Sequence, residues 1–172
     1  NGVHDLQLIS GTQARGLEPE LACEAALLSP SSGVVDSHGL MLSLLGDLEN
    51  AGGTLAVSSP VTGGRVTERG VDLDIGGPES VTLSARLVIN SAGLWAEAVA
   101  RSIAGLRAAF IPALRPAKGQ YFTVTGRAPF SRLIYPLHTP DSQGVHYTRD
   151  LGGQARLGPD ISWDAPLGDY SV

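Results

Sequence analysis

The chain has 172 residues, of which 42% are hydrophobic, and its formal net charge is −5. This length and hydrophobic content allow one large domain or two small ones and argue against a chain that is disordered throughout. Because the basic residues form no block, and only Lys118 among them is a lysine, nucleic acid and anionic membrane surfaces are poor candidates for partners.

The N-terminal stretch contains one short predicted helix and one undecided segment. Ser10 is placed to cap one or two helical turns that reach Arg15. Residues 21–28 are apolar, but their length does not distinguish a helix from a strand. Cys23 lies in this segment and, as the only cysteine, cannot form an internal disulfide. We expect it to be a buried structural thiol. The sequence contains no Cys/His cluster at zinc spacing, so it does not predict a zinc site.

A longer amphipathic helix is predicted from about His38 to Ala51. Leucines recur along one face of this segment, and Asp36 or Ser37 is placed to cap its start. The Gly52–Gly53 pair follows, as is typical of a glycine stop at a helix C-terminus. Residues 54–57 are then predicted to form a short strand, which would complete half of a βαβ unit.

Residues 60–84 have a different pattern. Val71, Leu73 and Ile75 alternate with aspartates, so one face of this predicted strand is dry and the other is wet. A strand before it and a strand after it complete an antiparallel meander. The meander carries no candidate chemistry, and we interpret it as a structural insertion between two strands of a parallel sheet.

The stretch from Leu87 to Glu97 has the pattern of a buried strand that passes through a small-residue turn into a helix. Three large apolar residues open it, Ser91, Ala92 and Gly93 follow, and a helical pattern continues to Ala104. Such a helix start exposes backbone N–H groups that favour an anionic or polar group, and a glycine lets a flat cofactor approach the backbone. Many turns of this kind only pack, and spacing alone supports both interpretations equally.

The second half of the chain is rich in predicted strands. Residues 111–116 are expected to be extended because of their prolines, and Pro136 predicts a bend or an edge position. The predicted strands are residues 118–124, 132–137, 144–148 and 154–157. The fold class is therefore α/β plus antiparallel β (α+β), and we expect a boundary between residues 1–108 and 109–172.

Sequence motifs exclude several common activities. The chain contains no G-x-G-x-x-G, no phosphate loop that ends in Gly-Lys-Ser/Thr, and no G-x-S-x-G. The candidate chemistry rests instead on His146 and Thr148, which are two residues apart and so point to the same face of a strand. A histidine there could act as a general base, and an ordinary core or surface histidine is the commoner alternative.

The other histidines and the basic residues give weaker signals. His38 lies at a predicted helix start, where capping is its expected role, and His4 and His138 are expected to be solvated. Three basic residues could clamp a carboxylate, with a solvated position as the alternative: Arg115, Lys118 and Arg149.

An ordered set of short segments runs through the chain. The segments are Ser29–Asp36, Asn90–Ala96, Lys118–Phe122, Leu133–Pro136, Gly144–Thr148 and Leu157–Asp160. Together they resemble the FAD-dependent D-amino-acid-oxidase-like superfamily, and within it the L-2-hydroxyglutarate dehydrogenases and oxidases. The Ala-Gly turn occurs in many flavoproteins, whereas K-G-Q-Y-F combined with G-V-H-Y-T and G-P-D is more specific. The resemblance covers about residues 8–163.

The resemblance implies a parent enzyme with interleaved FAD-binding and substrate domains. Residues 1–108 would form a partial FAD-binding domain with an inserted β-meander (about 60–84), and residues 109–172 a partial substrate domain. The cofactor-binding residues that it implies are Val61 at the adenine and Ala92, Gly93 and Leu94 at the pyrophosphate and ribityl chain. The residues that it implies at the flavin ring and substrate are His146 and Thr148, with His146 as the base, and those along the approach are Lys118, Gln120 and Tyr121.

The implied reaction is oxidation of a 2-hydroxy acid by hydride transfer to the flavin, and a glycine- or sarcosine-type amino-acid oxidase is the alternative. We find neither the glycine-rich pyrophosphate loop nor the C-terminal segment of the family pattern. We therefore interpret the chain as a middle fragment that is inactive alone and retains no FAD. A non-catalytic module that self-associates through an exposed sheet edge is the alternative from another class. A cytoplasmic location is expected, with peripheral membrane attachment of the parent left open.

Overall fold

A computed structural model describes residues 2–137 and 144–171 of the chain. Helices and strands follow in the order β1 (Gln7–Ser10), α1 (Gly11–Leu17), β2 (Ala25–Leu28), α2 (Ser37–Asn50), β3 (Val61–Thr67), β4 (Gly70–Ile75), β5 (Val81–Ala85), α3 (Ala96–Arg101), β6 (Ile103–Ala104), β7 (Ala117–Thr123), β8 (His146–Arg149) and β9 (Ala155–Trp163). Mixed sheets with few helices make this an α+β fold, as predicted.

The chain divides into two compact units that are not continuous in sequence. The first unit contains the chain up to Leu44 together with Gly119–Ser162, and the second contains Leu45–Lys118 together with Trp163–Ser171. The predicted functional division between residues 108 and 109 stays a prediction.

The first unit contains two small sheets. One pairs β1 with β2 in antiparallel register, and α1 follows β1 directly. Ser10 caps α1 as predicted: its Oγ accepts from the Gln13 backbone N–H at 3.3 Å, and the Gln13 side chain accepts in return from the Ser10 N–H at 2.9 Å. The other sheet has three strands in the order β7-β9-β8, so β9 lies between the two strands that carry the candidate site.

Helix α2 confirms the longest local prediction. The Asp36 carboxylate accepts from the backbone N–H groups of His38 and Gly39, both at 3.1 Å, and so caps the helix start. At the other end Gly52 has φ +80, and the Gly53 N–H donates to the Leu48 carbonyl at 2.8 Å. Glycine is needed at position 52 because other residues rarely adopt this backbone conformation.

The second unit contains a four-stranded sheet in the order β5-β4-β3-β6. Strands β3, β4 and β5 form the predicted antiparallel meander. Its wet face carries Asp72, whose carboxylate accepts hydrogen bonds from the Ser84 hydroxyl at 2.6 Å and from the Arg65 guanidinium at 2.8 Å. Both contacts lower the pKa of this carboxyl. Its dry face contains the buried Leu73.

Three strand predictions are wrong. Residues 87–89 and 54–57 are irregular, and residues 132–137 form only a single bridge from Ile134 to Tyr147. In the part of the chain that the structure describes, no sheet includes residues 87–89 or 54–57, so their backbones have no strand to pair with. No neighbouring layer covers the side chains of Leu87 and Ile89 either, which are 78% and 80% exposed. The helix predicted to reach Ala104 ends at Arg101, because Ile103 and Ala104 pair in parallel with β3 instead.

Little hydrophobic surface is fully buried. Within residues 2–137 and 144–171 the buried hydrophobic side chains are Ala14, Leu73, Tyr147 and Ala155. Cys23 is a free, half-buried thiol rather than a fully buried one. Across those same described residues, no helix is long and apolar enough to cross a membrane.

Candidate active site

The candidate site is centred on His146, the first residue of β8. Strand β8 pairs antiparallel with β9, and this register places His146 opposite Gly158 and Tyr147 opposite Leu157. His146 is 9% exposed and Tyr147 is 3% exposed, so the strand is enclosed on both faces at this point. The enclosure follows from packing on each side, because the Tyr147 hydroxyl donates to the Phe130 carbonyl at 2.8 Å while His146 lies among other aromatic rings.

Two tyrosines flank the His146 imidazole. The Tyr121 hydroxyl lies 3.1 Å from Nε2, at hydrogen-bonding distance, and the two rings meet edge to face with their centroids 5.8 Å apart. The Tyr135 ring lies on another side at 4.9 Å between centroids. Nδ1 is buried and has no hydrogen-bond partner among the described residues. The imidazole is therefore held at one nitrogen and unpaired at the other.

Gly158 is where the Tyr121 ring lies against the middle strand of the sheet. Tyr121 is on β7 and His146 on β8, with β9 between them. A Cβ added at Gly158 would lie 2.7 Å from the Gln120 carbonyl oxygen and 2.8 Å and 2.9 Å from two carbons of the Tyr121 ring, closer than atoms pack. The absence of a side chain at position 158 lets the Tyr121 ring lie there with its hydroxyl on His146.

The irregular segment from Phe130 to Tyr135 is held in place by several bonds. Ile134 and Tyr147 exchange backbone hydrogen bonds of 3.0 Å and 2.9 Å. At the other end of the segment Ser131 donates to the Glu18 carboxylate through its backbone N–H at 3.0 Å and its hydroxyl at 2.5 Å. These bonds fix the backbone next to Tyr135, whose ring contacts His146.

Glu18 is a buried carboxylate that sequence reasoning did not find. Its side chain is 5% exposed, and besides Ser131 it accepts from Arg132 at 3.1 Å. Burial raises the pKa of this carboxyl, but the hydrogen bonds from Ser131 and Arg132 outweigh burial, so its pKa lies below the ordinary value. No sequence signal could have linked Glu18 to a serine 113 positions away.

The remaining predicted residues of the substrate side lie on the same strands. Thr148 is half-buried on β8 opposite Arg156, and Gln120 is half-buried on β7. Lys118 is also on β7, but it belongs to the second unit, where its Nζ binds Asp169 at 3.1 Å and Ser171 at 3.2 Å. The structure therefore brings Tyr121 to His146, and Lys118 is already paired with a carboxylate.

Of the three basic residues considered as carboxylate clamps, two are occupied. Arg115 makes two bonds of 2.9 Å to Asp164, which raise the pKa of the guanidinium and lower that of the carboxyl. Lys118 is paired with Asp169. Hydrogen bonds from Ser171, together with the one from Lys118, lower the pKa of the Asp169 carboxyl to about 2. Arg149 donates to the Gly153 carbonyl at 3.4 Å and has no carboxylate partner within the described residues.

The predicted cofactor-binding residues all belong to the second unit. Val61 is half-buried at the start of β3, and Ala92, Gly93 and Leu94 are exposed at the start of a short 3-10 turn. Gly93 has φ +56 and open space where a Cβ would stand, and Asn90 accepts from the Ala92 N–H at 3.2 Å. This open backbone turn fits a bulky group such as FAD, because no side chain occupies the space beside Gly93.

Two of the other histidines, His4 and His38, are not part of this site. His38 is exposed at the start of α2, where its N–H, not its ring, takes part in the cap, and His4 is exposed as expected. His138 lies outside the described residues. Among the residues that are described, no group of His, Cys, Asp and Glu could hold a metal ion.

Comparison with known proteins finds one matching family and relatives that share one enzyme name. The profile of the DAO family, described as FAD dependent oxidoreductase, matches residues 1–171. The mitochondrial L-2-hydroxyglutarate dehydrogenase of Arabidopsis thaliana is 35% identical over 95% of this chain and 40% of its own length. The L-2-hydroxyglutarate dehydrogenases of Salmonella houtenae and Homo sapiens are each 26% identical over 92% of the chain, and 37% and 36% of their own lengths. The chain thus spans about two fifths of the curated relatives that it matches.

Proposed function

Since the chain belongs to the DAO family of FAD-dependent oxidoreductases, we propose that it contributes part of the substrate site and part of the flavin site of an enzyme that oxidises a 2-hydroxy acid. The observation that carries this proposal is the enclosed His146 with one unpaired nitrogen, in a chain whose relatives are L-2-hydroxyglutarate dehydrogenases. The names of those relatives favour a hydroxy diacid as the substrate.

His146 is the proposed general base. Oxidation of an alcohol carbon requires loss of the hydroxyl proton as well as of a hydride, and an imidazole with a free lone pair near neutral pH can accept that proton. FAD, when bound, supplies the acceptor for the hydride. His146 is itself buried, and its contacts with the two tyrosine rings hold the orientation of the imidazole.

Recognition of the substrate's carboxylate is proposed for the end of β8, where the alternation of side chains places Arg149 on the face opposite His146. Arg149 is on β8 three residues after His146, and its guanidinium has only carbonyl partners within the described part of the chain. A guanidinium without a carboxylate partner is suited to bind one from a ligand. Thr148 and Gln120 are the neutral polar residues proposed to line this site.

Contacts with the cofactor are proposed for the open turn of the second unit. Ala92, Gly93 and Leu94 would lie beside the pyrophosphate and ribityl chain, and Val61 beside the adenine. The exposed, side-chain-free backbone at Gly93 supports this proposal. We further propose that the 172-residue chain alone retains no FAD and turns over no substrate, because the motifs that anchor the pyrophosphate in this family are not found in it.

Two measurements test the function. Purified chain is mixed with excess FAD, freed of unbound cofactor and examined for the visible absorption of oxidised flavin. The proposal expects none, and a stoichiometric yellow chromophore would contradict the proposal that the chain alone retains no FAD. A protein of the relatives' length that contains this sequence is then assayed with an artificial electron acceptor. We expect turnover of L-2-hydroxyglutarate, with glycine and sarcosine as control substrates. Turnover of the amines alone would replace the proposal by an amino-acid oxidase.

A further inference from the structure

We propose that Tyr121 is a positioning residue that fixes the tautomer of His146: its phenolic oxygen accepts a hydrogen bond from the Nε2–H group, so that the proton stays on Nε2 and Nδ1 is unprotonated. This inference rests on the proposed function, in which His146 is the base, and it names the atom that accepts the proton. It also assigns to Gly158 the role of admitting the Tyr121 ring.

The hydrogen-bonding pattern of the imidazole carries the assignment. A neutral imidazole has one N–H donor and one acceptor nitrogen, and the bond made by one nitrogen decides the role of the other. Nε2 lies 3.1 Å from the Tyr121 hydroxyl, whereas Nδ1 is buried without a partner among the described residues. A tautomer with the proton on Nδ1 would bury an N–H donor without an acceptor, which is a costly arrangement that native proteins avoid.

The tautomer with the proton on Nε2 satisfies the donor and leaves the Nδ1 lone pair free. With the proton on Nε2, this N–H group donates to the Tyr121 oxygen. The unpaired nitrogen is then Nδ1, which carries a lone pair that can accept a hydrogen bond from a ligand hydroxyl. A phenolic hydroxyl both donates and accepts, so the Tyr121 oxygen can accept from Nε2 while its own proton is directed at another acceptor, such as a ligand oxygen.

The path of the Tyr121 ring depends on position 158. Gly158 is opposite His146 in the β8–β9 register, and the ring carbons of Tyr121 would come within 2.9 Å of a Cβ there. Strand β9 lies between β7 and β8, and Gly158 has φ +157 with the Gln120 carbonyl oxygen 2.7 Å from a Cβ, so an alanine at position 158 would shift the β7 backbone together with the Tyr121 ring and break the bond to Nε2. Gly158→Ala should therefore reproduce the loss of the hydroxyl although Tyr121 itself is unchanged.

Tyr135 offers a matched control. Its ring contacts the same imidazole at 4.9 Å between centroids, closer than the 5.8 Å of the Tyr121 ring, but the hydrogen bond to His146 comes from Tyr121. Tyr135→Phe removes the same atom as Tyr121→Phe from a tyrosine at the same histidine. A difference between the two variants therefore reports the Tyr121–Nε2 bond and not the loss of a tyrosine hydroxyl in general.

The test is nitrogen-15 NMR of the imidazoles in the 172-residue chain at alkaline pH, without flavin. The His146 signals are assigned as those that disappear in His146→Gln. We expect the unmodified chain to show a protonated Nε2, an unprotonated Nδ1 and an Nε2 proton protected from exchange with water. In Tyr121→Phe and Gly158→Ala this proton should exchange about tenfold faster or more, as expected when one hydrogen bond is lost, and in Tyr135→Phe it should be unchanged.

Two outcomes would overturn the inference. One is an unmodified chain in which Nδ1 carries the proton, and the other is equal exchange in Tyr121→Phe and Tyr135→Phe. If Gly158→Ala fails to fold, Tyr121→Phe alone decides, because it keeps the ring. The measurement uses neither FAD nor substrate, so failure of the proposed oxidation would not affect it, and failure of this inference would leave the oxidation to be judged by turnover.

Discussion

Glu18→Gln, which changes one atom of a buried carboxylate, should destabilise the first unit. Glu18→Gln keeps the shape of the side chain but replaces a charged acceptor by an amide, whose N–H₂ group would face donors. Three donor groups converge on this carboxylate: the Ser131 N–H at 3.0 Å and 3.2 Å from its two oxygens, the Ser131 hydroxyl at 2.5 Å and Arg132 at 3.1 Å. Hydrogen bonds to charged groups contribute about 1.5–3 kcal/mol each when buried.

The expected loss is smaller than the sum of these bonds. Arg132 is half exposed, so water can solvate its charge once the carboxylate is gone, and the glutamine carbonyl still accepts one bond from Ser131. We expect Glu18→Gln to lower the free energy of unfolding by about 2–3 kcal/mol. For a chain of this size that corresponds to a decrease in Tm of roughly 4–12 °C. Urea unfolding followed by circular dichroism measures the change.

The same carboxylate gives the stability a defined dependence on pH. Its folded-state pKa lies below the ordinary value of 4.5, so the unfolded chain binds the proton first as the pH falls. Its stabilisation is therefore fully present above pH 4.5 and is lost as the pH falls through the folded-state pKa. Glu18→Gln should lack this part of the acid sensitivity. Glu20→Gln, an exposed neighbour, is the control, and equal stability of the two variants across this range would refute the reasoning.

Two further predictions concern other parts of the chain. Asp36→Ala removes the acceptor for the His38 and Gly39 N–H groups and should cost about 1 kcal/mol in urea unfolding; an unchanged midpoint would show that the cap contributes nothing. Strand β5 is at an edge of its sheet with Val81 and Leu83 each 55% exposed, so we expect concentration-dependent association in sedimentation velocity that Leu83→Lys reduces. Association that is equal in both proteins would locate the contact elsewhere.

Local signals predicted the elements that depend on local bonds. Helix α2 begins at an aspartate cap and ends at a glycine with positive φ, and both devices act within four residues of the helix. The meander was predictable because its three strands are consecutive along the chain. The alternation of apolar and acidic residues in β4 also marks the dry face of the sheet. Residues 87–89 have an equally strong apolar pattern, but a strand also needs a partner backbone, which no local pattern reports.

The candidate site shows the same limit. Spacing predicted that His146 lies on a strand, and the resemblance pointed to Tyr121 as a neighbour of the site. Neither could predict that the Tyr121 ring lies against Gly158 on the way to Nε2, because this contact depends on the strand order β7-β9-β8. Glu18 was missed for the same reason, since its partner Ser131 is distant in sequence and the fold alone brings them together.

The role of His146 as the base is the central claim, and the rate of flavin reduction tests it most directly. A protein of the relatives' length that contains this sequence is mixed with L-2-hydroxyglutarate under anaerobic conditions, and the bleaching of the flavin absorption is followed by stopped flow. We expect His146→Gln to slow bleaching by about 10²–10⁴-fold, the usual contribution of a general base, while His38→Gln, at an exposed histidine, leaves it unchanged. Bleaching of the His146→Gln protein at the rate of the unmodified protein would contradict the account.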